Sequence, residues 1–274
     1  MTSSNRTNNS VCGIIFDISG TVMDFGSRGP VAAFVEVFRR HGVEISETEA
    51  RGPMGLHKRD HIAGILALPE VAARWEQAHG RKAAESDVEN LFQHFTPLQV
   101  EVLDGYLEIL PGVPELAAEL TRRGIPFANT TGFDSWMMKS LIAAAEQQGY
   151  RPVCWMTPDQ AGGGRPAPWM VYEAAKRMGA YPLRRMVKVG DTPADIAEAQ
   201  AAGMWAVAVV QHGNEVGLSR AALAALNPAE RENRFAAARA KLRGLGAHYV
   251  LEQTADLLGV LGDIEERIGR GERP

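Results

Sequence analysis

The chain has 274 residues, 45% of them hydrophobic and 23% charged, the balance of a soluble globular protein long enough for one large domain or a core with an inserted smaller one. A formal charge of -4 at pH 7 argues against nucleic acid as a main partner, which calls for a basic face. No apolar run approaches a membrane span, and Cys12 and Cys154 each lie in an apolar stretch, which favours buried free thiols and a reducing cytoplasm.

Met1 to Ser10 is polar and Asn/Ser-rich without an apolar centre, and reads as a disordered lead-in and not as a signal peptide. The apolar run Val11 to Phe16 stops on Asp17 and breaks at Gly20. A buried strand ending this way presents its carboxylate at the C-terminal edge of a parallel sheet, where such sheets bind ligands. Pro30 to His41 is an expected helix, with Val31, Phe34, Val35 and Phe38 at helical spacing and Gly42 as its stop. Ser46, followed three residues later by Glu49, marks another helix start. From Gly52 to about Asp104 the periodicity stays helical, so this stretch reads as an insertion between the first two strands.

The core resumes at Leu110 to Val113, with a helix to Arg123 stopped by Gly124 and a strand over Ile125 to Ala128. That strand ends in Asn129-Thr130-Thr131-Gly132. A helix to about Gln148, a short strand near Pro152 to Met156, the Gly162 to Pro166 loop and a helix to Met178 follow. The strand Arg185 to Val189 ends at Gly190-Asp191-Thr192, a helix ends at Gly203, and the strand Trp205 to Val210 closes the alternation. Repeated β-then-α predicts an α/β fold with a doubly wound, Rossmann-like parallel sheet. The expected division is 11–26 and 105–274 for the catalytic core and 27–104 for the helical insertion, with Glu265 to Pro274 as a frayed helix end.

Several strand-end residues carry chemistry. Asp17 alone is equally a turn or cap residue. It gains weight from Gly20, which lets backbone amides approach an anion, from the Thr21 hydroxyl, and from the capacity of carboxylates to form phosphoaspartyl intermediates. Thr130-Thr131-Gly132 reads either as a plain turn or as a phosphate contact through the Thr131 hydroxyl and the following helix N-terminus. Arg165, in a glycine-rich loop, suits a phosphoryl oxygen. Asp191 and Asp195, one helical turn apart, offer oxygen ligands suited to Mg²⁺.

This ordering resembles the haloacid dehalogenase superfamily of phosphotransferases, and the helical insertion resembles that superfamily's cap domain. Phosphatases of the superfamily carry a general-acid aspartate two residues after the nucleophile; here that position is Ser19, which has no suitable pKa. The stretch Glu49 to His61 closely resembles the cap segment of the phosphonoacetaldehyde hydrolase (phosphonatase) family, as do Asp24 to Ser27, Gly164 to Met170 and Gly203-Met204-Trp205. The resemblance implies that Lys58 forms a Schiff base with an aldehyde, with Met54 and His61 around it. It also implies that Asp17 attacks phosphorus and that Mg²⁺ is held by Asp17, Asp191, Asp195 and the Ser19 carbonyl. Substrate contacts are expected from Thr131, Gly132, Arg165, Met54, His61, Ser27 and Arg28.

A protonated imine makes the carbon a competent leaving group, so no oxygen needs protonating and a second aspartate is dispensable. For that role Lys58 needs a lowered pKa, through desolvation or nearby cations. His57 and His61 stand at a metal-binding i, i+4 spacing, but no third ligand accompanies them. The resemblance further implies a homodimer and a place in phosphonate degradation. The departures are Ile18-Ser19 where the family has Trp-Ala, Arg28 for an aromatic residue, and Phe133 for a tyrosine found in some relatives. They leave open a substituted phosphonoaldehyde, or a phosphate monoester, as the alternative substrate.

Overall fold

The structure, a computed structural model, describes residues 10–274; the expected lead-in lies outside the described residues apart from Ser10. A parallel sheet is built from β1 (Gly13–Phe16), β2 (Phe127–Thr130), β3 (Trp155–Met156), β4 (Met186–Gly190), β5 (Trp205–Val209) and β6 (Tyr249–Leu251), in the order β3-β2-β1-β4-β5-β6. Both faces are covered. Ile14, Phe16, Val187 and Val189 enter one apolar cluster while Ile15, Met186, Ala206 and Ala208 enter another, the period-two division of strands buried on two sides.

The sheet has one strand more than the sequence led us to expect. β5 does not close the alternation, because the chain returns through α11 (Arg220–Ala225) and α12 (Pro228–Gly244) to add β6 at the edge. With three residues, two of them half-exposed, β6 has too little apolar pattern to announce itself. The tail is likewise better held than a frayed end. Its first half, Glu265 to Gly269, belongs to α13 (Leu258–Gly269), where the Arg267 guanidinium lies 4.5 Å from the Trp205 ring centroid, and only 270–274 run on past the helix.

Between β1 and β2 stand α1 (Arg28–Arg40), α2 (Glu47–Arg51), α3 (Lys58–Leu66), α4 (Pro69–His79) and α5 (Glu85–Leu103). Ser46 caps α2 in the expected reciprocal capping box with Glu49. These helices have an apolar cluster of their own, including Phe34, Phe38, Ile62, Ile65, Trp75, Leu91 and Phe95. Burying each of the large side chains contributes about 1.5–3 kcal/mol, which sustains this layer beside the sheet. The remaining helices are α6 (Val113–Arg122), α7 (Met138–Gln147), α8 (Pro158–Ala161), α9 (Trp169–Met178) and α10 (Pro193–Ala202). Among the described residues no helix is long and apolar enough to cross a membrane.

Candidate active site

β1 and β4 are hydrogen-bonded neighbours, with Phe16 in register with Val189, so Asp17 and Asp191 leave the sheet side by side. Asp195 joins them because Thr192-Pro193-Ala194-Asp195 is itself a helix start. The Thr192 hydroxyl caps the Asp195 N–H, Pro193 occupies the first turn, and the Asp195 carboxylate accepts from the Thr192 N–H at 3.2 Å and hydroxyl at 2.6 Å. One oxygen from each of the three carboxylates lies within 4.8 Å of the others, all buried.

The turn after Asp17 is shaped around this cluster. Gly20 has φ +77°, and a Cβ there would fall 2.2 Å from Asp191 Oδ2. Its own N–H donates to the Met23 carbonyl at 2.8 Å. The Thr21 hydroxyl donates to Asp191 Oδ1 at 3.0 Å and fixes a carboxylate.

Arg165 is 3% exposed and its guanidinium reaches Asp17 at 2.7 Å, Asp195 at 3.1 Å and Glu198 at 3.0 Å, and donates to the Thr130 carbonyl at 2.9 Å. Lys188, in β4, bonds Asp195 at 2.7 Å. Sequence reasoning passed over Lys188 and Glu198, although a charged side chain inside an apolar strand is a signal that it must meet an opposite charge. Four buried carboxylates (Asp17, Asp191, Asp195 and Glu198) thus share the site with two cations, which pair directly with Asp17, Asp195 and Glu198 and leave Asp191 with no ion pair among the described residues.

The imbalance is visible in the ionisation of the acids. Burial, then the charge of Asp195, raises the Asp17 carboxyl above its ordinary value, and burial, then Asp17, raises Asp191 well above its own. Burial works against ionised Asp195 too, but Arg165 and Lys188 outweigh it and hold its carboxyl low. Oxygen donors carrying two negative charges in excess of their direct partners fit a hard divalent cation.

The opposite wall comes from the helical layer. Gly55, at φ +93°, packs so tightly on the α10 start that a Cβ would lie 2.3 Å from the Thr192 hydroxyl. Gly132 has the same role on the core side, where a Cβ would lie 2.3 Å from the Leu56 carbonyl. His57 Nε2 and Asp134 Oδ1 join the two layers at 3.0 Å. Lys58, the next residue, is 3% exposed, and its ammonium stands 4.6 Å from the Phe133 ring centroid and 5.7 Å from that of Phe34. Burial lowers its pKa to about 8, with Arg165 acting in the same sense and Asp17 against it. Its place in the first turn of α3, at the positive end of the helix dipole, also disfavours the charged form.

Asp17, Ser19, Ser27, Met54, Lys58, Thr131, Gly132 and Arg165 all line one cavity with about 270 Å³ of empty volume. His61 does not reach it. Its ring stacks on Phe34 at 3.8 Å, Nε2 meets the Ala50 carbonyl at 2.7 Å, and burial together with Lys58 drives its pKa well below the usual value. Arg28 is also outside, with its guanidinium 5.8 Å from the Tyr106 ring centroid in a separate groove; α1 starts there and turns the side chain away. The hydroxyls of Ser19 and Ser27 are buried without a hydrogen-bond partner.

A search against known proteins identifies the frame. Residues 13–203 match the haloacid dehalogenase-like hydrolases. The chain belongs to this family. It is therefore a hydrolase, and the site described above lies within the matched span. It is 41% identical over 261 residues to a phosphonoacetaldehyde hydrolase of Nitratidesulfovibrio vulgaris, covering 95% of this chain and 93% of that one. With the Paraburkholderia phytofirmans phosphonoacetaldehyde hydrolase it shares 40% identity over 95% of this chain and 98% of the relative. The crystal structure of a phosphonoacetaldehyde hydrolase-like protein from Oleispira antarctica superposes with a TM-score of 0.95 at 36% identity, over 100% of both chains.

Proposed function

We propose that this hydrolase cleaves the carbon–phosphorus bond of phosphonoacetaldehyde to acetaldehyde and phosphate, with the helical layer acting as a cap over the sheet edge. The observation that carries the reading is the single cavity that holds both a strand-end carboxylate, Asp17, and a buried amine, Lys58, whose pKa burial lowers to about 8. A phosphate monoester calls for an acid to protonate its leaving oxygen, and Ser19 supplies none. An aldehyde calls for an amine.

Lys58 in its neutral form adds to the aldehyde, and uptake of one proton with loss of water gives a protonated imine. Asp17 attacks phosphorus; the carbon–phosphorus electron pair moves into the imine and leaves as an enamine. Protonation of the enamine at carbon and hydrolysis release acetaldehyde and free Lys58. Water cleaves the phosphoaspartate to phosphate and restores Asp17. Arg165, which already touches Asp17, and Thr131, which lines the same cavity, are assigned to the phosphoryl oxygens. Asp17, Asp191, Asp195 and the Ser19 carbonyl are assigned to Mg²⁺, which supplies charge neutralisation at the phosphoryl group when bound.

A second reading, a hydroxylated phosphonoaldehyde, is favoured by the unpartnered hydroxyls of Ser19 and Ser27 at the cavity. Unpaired buried hydroxyls are costly and gain from a polar substituent. Arg28, remote from the cavity, has no part in it. Acetaldehyde release from phosphonoacetaldehyde, followed with alcohol dehydrogenase and NADH, tests the main reading. Mg²⁺-dependent release is expected. Faster turnover of p-nitrophenyl phosphate than of any phosphonoaldehyde would contradict it.

A further inference from the structure

Arg51 ends α2 with only 14% of its side chain exposed, and its nearest carboxylate, Glu47, is 4.0 Å away and 68% exposed. An ion pair of that kind contributes little and does not explain where this cation is. Its guanidinium is directed at the core: Nη1 donates to the carbonyls of Gly26 at 2.9 Å and Ser27 at 3.3 Å and to Asn214 Oδ1 at 3.2 Å, and Nη2 donates to the Gly217 carbonyl at 2.9 Å. Asn214 Nδ2 returns a bond to the Arg51 carbonyl at 3.4 Å. The seat is shaped for the side chain, since Gly217 has φ +65° and a Cβ there would lie 2.7 Å from Arg51 Nε.

The same loop holds the carboxylate cluster. The Asn214 N–H donates to Asp191 Oδ2 at 2.7 Å, and a Cβ on Gly213 would fall 2.8 Å from the Asp191 Cβ. His212 Nδ1 meets the Gly20 carbonyl at 2.7 Å, and the Gly26 N–H donates to the His212 carbonyl at 2.8 Å. One short segment, His212 to Gly217, therefore grips Asp191 and the turn after Asp17 on one side and a helical-layer arginine on the other. Planar, multidentate contact of this sort makes arginine specific; lysine does not reproduce it.

We propose that Arg51 is a positioning residue that couples seating of the helical layer to the orientation of Asp191 through Asn214, so that the carboxylate cluster binds a divalent cation tightly only when Lys58 is brought into the cavity. The inference rests on the Mg²⁺ assignment made above. Coupling of this kind is reciprocal, so Mg²⁺ also steadies the helical layer.

The test measures Mg²⁺ binding by calorimetry in the substrate-free wild type, Arg51→Lys, Asn214→Ala and the double variant. Asn214→Ala is the decisive change because it keeps the backbone donor to Asp191 and removes only the link to Arg51. Each single variant is expected to bind Mg²⁺ about five- to tenfold more weakly, within the usual range for coupled sites, and the double variant no more weakly than either single one. Hydrogen exchange in α2 and α3 should slow on adding Mg²⁺ to the wild type and not to Asn214→Ala. Affinities within twofold of wild type, additive losses, or no Mg²⁺ binding by the wild type would each overturn the coupling. Because no step needs turnover, a wild type that shows the coupling yet releases no acetaldehyde would count against the proposed substrate alone.

Discussion

The two walls of the cavity hold their functional groups by opposite means. At the sheet edge the charged groups are held by direct partners: Arg165 touches Asp17, Asp195 and Glu198, Lys188 touches Asp195, and Asp191 accepts from the Thr21 hydroxyl and the Asn214 N–H. In the helical layer Lys58 faces aromatic rings, and no carboxylate lies within ion-pair distance of it among the described residues. Paired and hydrogen-bonded groups give a fixed electrostatic frame, whereas an amine left against hydrocarbon loses its proton more readily. Nucleophilic chemistry at phosphorus needs the frame. Imine formation needs the bare amine. A cavity between two such walls provides both within one small volume.

The largest effects should come from removing the reacting group on either wall. Asp17→Asn and Lys58→Arg are each expected to lower kcat by roughly 10⁴-fold or more, the scale for loss of a nucleophile, while both variants keep a native melting transition. Retention of more than a hundredth of wild-type turnover by either would break the division of labour.

Breaking the frame is next. Arg165→Met leaves buried carboxylates unneutralised and should cost about 3–5 kcal/mol of unfolding free energy, read from urea titration. Added Mg²⁺ should raise the Tm of the wild type, since a cation that binds only the folded cluster stabilises it.

The amine sets the pH dependence. Below its pKa of about 8 Lys58 is protonated and cannot add to an aldehyde, so kcat/KM should rise with pH through about 8 and level above it. Phe133→Leu, which removes the nearer ring, opens the amine to water and should move that limb towards the ordinary lysine value of 10.5. An unmoved limb would assign it to another group. The smallest effect belongs to Arg28→Ala, which lies outside the cavity and should leave kcat/KM for phosphonoacetaldehyde within about twofold.

Much of this arrangement is legible in the sequence because local rules agree with the fold. Val11–Phe16 before Asp17, and Arg185–Val189 before Gly190-Asp191, read as strands ending on acids, and both acids meet at one edge. The α10 start shows itself through Thr192, Pro193 and Asp195. What escaped depends on partners far along the chain. Lys188 looks like a lapse in an apolar strand until Asp195 is folded against it. Arg51 looks like an ordinary helix-end cation until Asn214 and Gly217 are beneath it. Arg28, adjacent to Ser27 in sequence, is carried away because the helix begins between the two and turns one inward and the other out. β6 is recruited to the edge by β5 and not by a strong pattern of its own.

The most direct test of the paired walls is reduction with sodium borohydride during turnover of phosphonoacetaldehyde, followed by peptide mass spectrometry. The expected result is a covalent two-carbon adduct on the peptide carrying Lys58 in the wild type, and none in Lys58→Arg. Acetaldehyde release with no adduct, or an adduct on any other lysine, would contradict the assignment of the imine to Lys58.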